Sequence, residues 1–540
     1  MKDVMKDVMK RTFVLFFSLA ILLPLAAGGG KEAPAPGGTG AASAGEGPVT
    51  YPVPGNPKIV ISRGADTDIH TAGFSSYNDT PGVKALIAQT GINVEFIELV
   101  DNNAYMLYLA GGNLPDVIMC GKDFYPGGGF KMHEDGLARD LTDLLPKYAP
   151  DYWKYINADP QFYKAIREPD GKHYTLAGYF RKPGSIYSSW IGLVARKEIL
   201  DKLGMAPPET ADELYRFLRR SKDELGVETP FMSARNRFPM IFTGGSLTSP
   251  FGLPRADAYH VNGKVHYGSY DPQYKNVLAF FNKLYTERLL DNNFAVTDEP
   301  TAHASVLSGK TSLIFTAASR IQNMTYAANN APDFTLLGLP SMSTAKGVTP
   351  IYSYADDAVT FSFWCFLPET SRDPANALKL LNYLHTEKGN ILANFGQENV
   401  TFAFKDNNPV YTEFVTKNPK GLPLDGILRT YGLLNFPITQ DDRMSRQRFP
   451  LPQQIQAMET WSKSEGSKYR IVNNSIIGKY ADEYAALVTD INTYIEECRA
   501  QFISGALPLD RFDSYIATLK SMGMDRLLQI LQESYDVYNK

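Results

Sequence analysis

Between Lys58 and Cys120 the chain alternates short apolar runs with helix-like stretches, and this alternation restricts its fold more than any other feature. Lys58 to Ser62 (KIVIS) reads as a first strand. From Pro81 to Gly91, Val83, Leu86 and Ile87 share one helical face and Gly91 stops the helix. Ile92 to Leu99 alternates in part as a strand does, and Asn103 to Ala110 is a short helix closed by Gly111-Gly112. Leu114 to Cys120 then reads as a third, buried strand. A β-α-β-α-β order predicts a parallel sheet with right-handed crossovers. Ligands on such sheets gather beyond the carboxyl ends of the strands.

Further elements follow the same logic. Helices are expected over Leu137 to Tyr148, Asp151 to Ile156 and Arg196 to Leu203, and strands over His173 to Ala177 and Ile191 to Ala195. Thr210 with Glu213 predicts a capping box for a helix through Leu218. Asp271 to Arg288, Pro374 to Lys388, Tyr480 to Ser504 and Asp510 to Ser521 are amphipathic helices.

The first residues belong to export, not to the fold. Lys10-Arg11 precede the apolar run Thr12 to Ala27, which ends in small residues, the layout of a secretory signal. The run falls short of the roughly 20 apolar residues of a membrane span. Residues 1–27 are therefore expected to be a cleaved signal peptide, and MKDVMKDVMK suggests that the true start is Met9. Gly28-Gly29-Gly30 stand where a lipid-bearing cysteine would follow the apolar run. The expected product is periplasmic or extracellular and free of a lipid anchor. Residues 28–57, rich in Gly, Ala, Pro, Ser and Thr, read as a flexible linker.

About 480 residues remain, more than one core usually supports, so two lobes are expected. The formal net charge of −4, with no basic run, leaves no electrostatic footprint for nucleic acid. Cys120, Cys365 and Cys498 permit at most one disulfide, so stability must come from a large core.

Several ordered segments resemble the family 1 extracellular solute-binding proteins, in the LplA-type lipoprotein branch. They are AGGNLPDVI (Ala110 to Ile118), GLARDLTDLLPKYAP (Gly136 to Pro150), DGKHYTLAGY (Asp170 to Tyr179) and ARKEILDKLGMAPPETADELYRFL (Ala195 to Leu218). LLNYLHTEKGN (Leu380 to Asn390) is followed by NFGQENV, and the stretch from Phe502 to Lys540 is similar to the family's C-terminus. Two departures stand out: the missing lipobox cysteine, and Asn399 where relatives often carry glycine. The resemblance implies a two-lobed α/β fold of the periplasmic binding protein kind, type II-like, with a hinge between the lobes. Lobe I is expected from 58–180 and 358–430, lobe II from 181–357 and 431–540. The resemblance also implies capture of a sugar or oligosaccharide for an ABC importer, with permease subunits as partners, no cofactor, and a monomeric receptor.

Candidate ligand-binding residues follow from position. Arg63, Asp66 and Asp68 come just after the first strand, and Tyr77 precedes the first helix. Lys122, Asp123 and Phe124 lie on the loop after the third strand. Arg181, Tyr187 and Trp190 fall between the lobes, where an aromatic face can stack on a pyranose and a guanidinium can bond paired hydroxyls. Arg235 and Arg320 follow apolar runs. Tyr352, Tyr354, Asp356 and Asp357 mark the return to the first lobe, and Glu398 follows Phe395-Gly396. Each also has a plainer reading: loop charge for the carboxylates, lobe packing for Trp190, and backbone capping for Asp116.

Searches for chemistry are mostly negative. Asp66 and Asp68 supply too few oxygens for a metal, no His-Glu-x-x-His occurs, and no Walker loop or nucleophile elbow is present. No catalytic or metal-binding residue is therefore expected. Two other readings stay open at this point: an exported carbohydrate-active enzyme with paired carboxylates, or a solute-binding component of a sensory receptor.

Overall fold

The computed structural model describes residues 48 to 539, apart from 101, 121–124, 126–127, 159, 169, 179–184, 330, 332, 355–361, 419–421, 423 and 473–474. Thirteen strands are described: β1 (Lys58–Gly64), β2 (Asn93–Leu99), β3 (Val117–Met119), β4 (Leu176–Gly178), β5 (Ile191–Arg196), β6 (Phe231–Ser233), β7 (Ala258–Val261), β8 (Lys264–Tyr267), β9 (Leu313–Ala317), β10 (Leu336–Gly338), β11 (Ser362–Phe366), β12 (Phe402–Lys405) and β13 (Asn408–Tyr411). They form a five-stranded sheet ordered β2-β1-β3-β11-β4, a four-stranded sheet ordered β10-β5-β9-β6, and two hairpins.

The N-terminal β-α-β-α-β reading holds. β1 pairs in parallel with both β2 and β3. The first crossover helix, Pro81–Thr90, shows why. Thr80 caps it by accepting from Val83 N–H, proline opens it, and Gly91 closes it in the left-handed region at φ 69°. Asp116 caps backbone amides as expected: its carboxylate accepts from Val60 N–H at 2.9 Å and Arg372 N–H at 3.1 Å. It thereby ties β1 to the segment that follows β11.

Other elements differ from their sequence patterns. Only Leu145–Tyr148 of the expected 137–148 helix is helical, because Leu141 N–H bonds His173 O at 2.8 Å and holds the preceding stretch against the sheet. The expected helix through residue 388 ends at Tyr383, and Thr386 caps a new one, Glu387–Phe395. Thr210 caps Ala211–Leu225, but the Glu213 carboxylate takes Glu209 N–H, one residue earlier than a capping box requires.

Each large sheet carries its own cores. The first sheet packs with residues from Val53 to Ala177 and again from Trp364 to Met444. The second packs on one face with Ile491 to Leu527 and on the other with Phe449 to Trp461. Beyond the boundary expected at residue 430, Leu433, Leu434, Phe436, Ile438 and Met444 are buried in the first core. The apolar residues on both sides of 430 look alike in sequence, so periodicity cannot assign them to a sheet.

One close approach fixes the back of the second sheet. Gly192 of β5 lies under Trp461, and a Cβ there would sit 2.4 Å from the indole nitrogen. Trp461 Nε1–H donates to Leu193 O at 3.2 Å. Only glycine leaves room for a fully buried tryptophan this close to a central strand.

Candidate functional site

The strand directions define one edge of each sheet. In the first sheet, β1, β2 and β3 end at Gly64, Leu99 and Met119. β11 is antiparallel to β3 and to β4, so β11 begins and β4 ends at this same edge. In the second sheet, parallel β6 and β9 end at Ser233 and Ala317. β5 is antiparallel to β9, with Ile191 opposite Ala317, so β5 begins at that edge. The chain leaves the first sheet after Gly178 and enters the second at Ile191. The last strand of the second sheet, β10, ends at Gly338, and the first sheet resumes with β11 at Ser362. Both connections thus join the carboxyl edge of one sheet to the matching edge of the other, which is where an α/β sheet holds ligands.

At the first edge, Arg63, Asp66 and Tyr77 come together, as position suggests, but inside the protein. Arg63 is 6% exposed and its guanidinium lies 3.9 Å from the Tyr77 ring centre. Tyr77 is fully buried, and its hydroxyl donates to Asn435 Oδ1 at 2.7 Å. Asn435 Nδ2 donates to Asp66 at 2.7 Å, and Arg63 and Arg429 approach the same carboxylate at 3.7 and 3.6 Å. Burial raises the Tyr77 phenol above its ordinary range, against the opposing charge of Arg63. The network braces the loop after β1; Tyr77 and Arg63 are scaffold there rather than surface. Asn435 and Arg429 were not foreseen, because a lone Asn in LLNFPIT and an Arg in a short helix carry no sequence signal.

At the second edge the side chains are less enclosed. Trp190 stands at the start of β5 and meets Tyr354 edge-on, with ring centres 5.7 Å apart. Tyr354 and Tyr352 clamp the Gly244-Gly245 turn, where a Cβ would lie 2.2 Å from the Tyr354 ring and 2.7 Å from Tyr352 Cβ. Tyr352 itself is fully buried, its hydroxyl accepting from Arg255 at 2.5 Å, so its place is structural. Arg320 follows β9 and pairs with Glu299, which Arg237 also contacts at 3.1 Å. Burial pushes the Glu299 carboxyl up, but the Arg237 and Arg320 charges outweigh it and hold it below its usual range. Arg235, on the loop after β6, is exposed; it adds to the Thr301 hydrogen bonds that lower Asp298.

The remaining candidates divide plainly. Lys122, Asp123, Phe124, Arg181, Asp356 and Asp357 lie outside the described residues, as does the side chain of Asp68. Glu398 is exposed at the turn into the β12–β13 hairpin, and the structure keeps it with that hairpin. Its neighbour Asn399 adopts φ 62°, the left-handed region that asparagine tolerates better than most residues other than glycine.

Tyr187 lines a cavity of about 880 Å³ between the first connection and a third one, which runs from the first core at Met444 to the second at Phe449. Asp442, Arg446, Phe449, Gln456 and Glu459 share this lining. The Tyr187 and Phe449 rings stack, 5.9 Å apart and 14° from parallel. Burial raises the Tyr187 phenol; Arg446 opposes the shift, and Asp442 and Glu459 reinforce it. Sequence reading missed Asp442 and Arg446 because DDRMSRQR looks like a solvated helix face. Among the described residues no group of three or more His, Cys, Asp or Glu could hold a metal ion.

Two α/β lobes joined by chain that passes between matching sheet edges make the architecture of a two-lobed binding protein. Over residues 75–391, more than half its length, the chain matches the bacterial extracellular solute-binding protein family, and it belongs to that family. It is 25% identical over 485 residues to lipoprotein LipO of Bacillus subtilis (strain 168), covering 85% of this chain and 90% of that one. It is 22% identical over 494 residues to the fructooligosaccharide ABC transporter substrate-binding protein FusA of Streptococcus pneumoniae serotype 4, covering 84% and 86%. The solved human-milk-oligosaccharide-binding, ABC-transporter-associated protein of Bifidobacterium longum infantis superposes with a TM-score of 0.72 at 20% identity, covering 90% of this chain and 100% of that one. The latter two are named as substrate- or solute-binding proteins associated with ABC transporters.

Proposed function

We propose that this chain captures a sugar or oligosaccharide outside the cytoplasm and passes it to the permease subunits of an ABC importer, acting as a monomer and not as an enzyme. The observation that carries this reading is the pair of matching sheet edges joined by the interlobe chain, with the Trp190–Tyr354 pair, the Arg235 loop and the Arg320 helix start on the second edge. Ring faces supply stacking surface, and guanidinium forks supply paired donors to hydroxyls. Relatives named for fructooligosaccharide and human-milk oligosaccharide support the solute class. In this reading lobe I takes 58–180 and 358–444, and lobe II takes 181–357 and the chain from Phe449 on. Asp68, Lys122, Asp123, Phe124, Arg181, Asp356 and Asp357 belong to the proposed ligand-binding set. Solute bound to both lobes favours the closed form, and the closed form docks on the permease.

The test is a thermal-shift screen of the mature protein against kestose, maltotriose, lacto-N-tetraose and trigalacturonate. A binder at 100 times its Kd stabilises the native state by about 2.7 kcal/mol. At least one saccharide is expected to raise Tm by several degrees. No shift with any of them would overturn the proposal, and turnover of one would favour an enzyme instead.

A further inference from the structure

The cavity at the third connection has features that the sheet edges do not. It has one wall on each lobe. Asp442 and Arg446 belong to the helix Asp442–Arg448, whose Met444 is buried in the first core. Tyr187 and Phe449 belong to the second-lobe cluster around Trp461, and Gln456 and Glu459 to the helix Pro452–Trp461. It is also tied to the ligand-bearing edge of the second sheet. Ser185 to Tyr187 lie three to five residues before Trp190, and Gln454 Nε2 donates to Ala318 O, just beyond the end of β9, at 2.9 Å. A space of about 880 Å³ lies within the roughly 300–1,000 Å³ of small-molecule sites.

Its chemistry is specific. The stacked Tyr187 and Phe449 rings give an apolar wall, and Gln456 is held in place by two bonds to Gly338, its Oε1 accepting at 2.9 Å and its Nε2 donating at 3.0 Å. Two carboxylates, Asp442 and Glu459, share the lining with one guanidinium, Arg446. Carboxylates accept from sugar hydroxyls in charge-assisted hydrogen bonds. The same carboxylates repel an anion, since the local formal balance is negative.

We propose that this hinge cavity is a glycosyl subsite of the solute site that selects neutral sugar units and excludes uronates. The proposal rests on the saccharide-binding reading above. It adds a location and a charge preference. Because the walls come from different lobes, a sugar held by Asp442 on one side and Glu459 on the other also draws the lobes together.

The experiment is titration calorimetry on the mature protein with maltotriose, kestose, lacto-N-tetraose and trigalacturonate, repeated on the Asp442→Asn/Glu459→Gln double variant. The expected result is a neutral saccharide preferred over trigalacturonate by at least tenfold, with that ratio falling at least tenfold in the double variant. Glu459→Gln alone, at an exposed position, should give a partial loss of the ratio if the double variant melts early. A wild type that prefers trigalacturonate overturns the subsite. So does an unchanged ratio in both variants while Arg235→Ala weakens the neutral sugar; that result leaves the saccharide-binding reading intact. Absence of binding by all four saccharides overturns both.

Discussion

The two sheet edges solve the same geometric problem in different ways. At the first edge, Arg63, Tyr77, Asp66 and Asn435 satisfy one another inside the protein, and the loop after β1 is braced by charge and hydrogen bonds. At the second edge, Arg235 is exposed and Trp190 is only partly covered, while stiffness comes from behind, through Trp461 pressed on Gly192. A buried polar network stabilises only when every member is paired. Groups that meet a solute must keep some capacity open. Under the proposed function the contrast places scaffolding at Arg63, Tyr77 and Asn435 and recognition at Trp190 and Arg235, although both edges are carboxyl edges.

Substitutions can break this contrast, beginning with the largest effect. Trp461→Ala removes a fully buried indole from the back of the second sheet. It should cost about 3–5 kcal/mol in urea unfolding. Leaving Gly192 unchanged keeps the strand itself intact, so the loss reads the indole packing together with its hydrogen bond to Leu193 O.

Acid should act next, and mainly on the first lobe. Burial pushes His173 down to about 4, and His385 also to about 4. Both sit in the first lobe, beside Trp153 and Tyr152 respectively. A depressed histidine pKa means that the unfolded chain binds the extra proton between about 6.5 and 4. Stability is therefore complete above pH 6.5 and falls as pH drops toward 4, by about 3 kcal/mol per site at the limit. Thermal melts from pH 7.5 to 4.5 check this, and His385→Gln should flatten the lower part of the curve.

Asn435→Ala sharpens the comparison directly. It leaves the Tyr77 hydroxyl and one side of Asp66 without the amide that joins them, at a cost of about 1–3 kcal/mol. Saccharide affinity measured below the melting range should change little. Arg235→Ala is the counterpart: stability should stay within about 0.5 kcal/mol, as for an exposed side chain, while affinity falls about tenfold. If the two variants exchange these phenotypes, the assignment of roles to the edges is wrong.

Much of the first lobe was legible in sequence because its early strands are local and parallel. Periodicity, Thr80 and Gly91 each state their part within a few residues. The second sheet was not legible as a topology, since β5 pairs with β9 more than a hundred residues away and the strands themselves are short. The site was legible by position and not by environment. "After a strand" correctly drew Arg63, Asp66 and Arg320 to sheet edges. Yet no local pattern reveals that Asn435 will fill the space between Asp66 and Tyr77, which lie 369 and 358 residues earlier. Asp442, Arg446 and Glu459 were hidden for the opposite reason: their helix faces read as ordinary solvated charge.

Hydrogen–deuterium exchange with and without the saccharide that stabilises the protein most is the most direct test of solute capture between the edges. Protection is expected together at 185–190, 234–237, 318–320 and 442–459, in segments drawn from both lobes. Protection confined to one lobe, away from these segments, would contradict it.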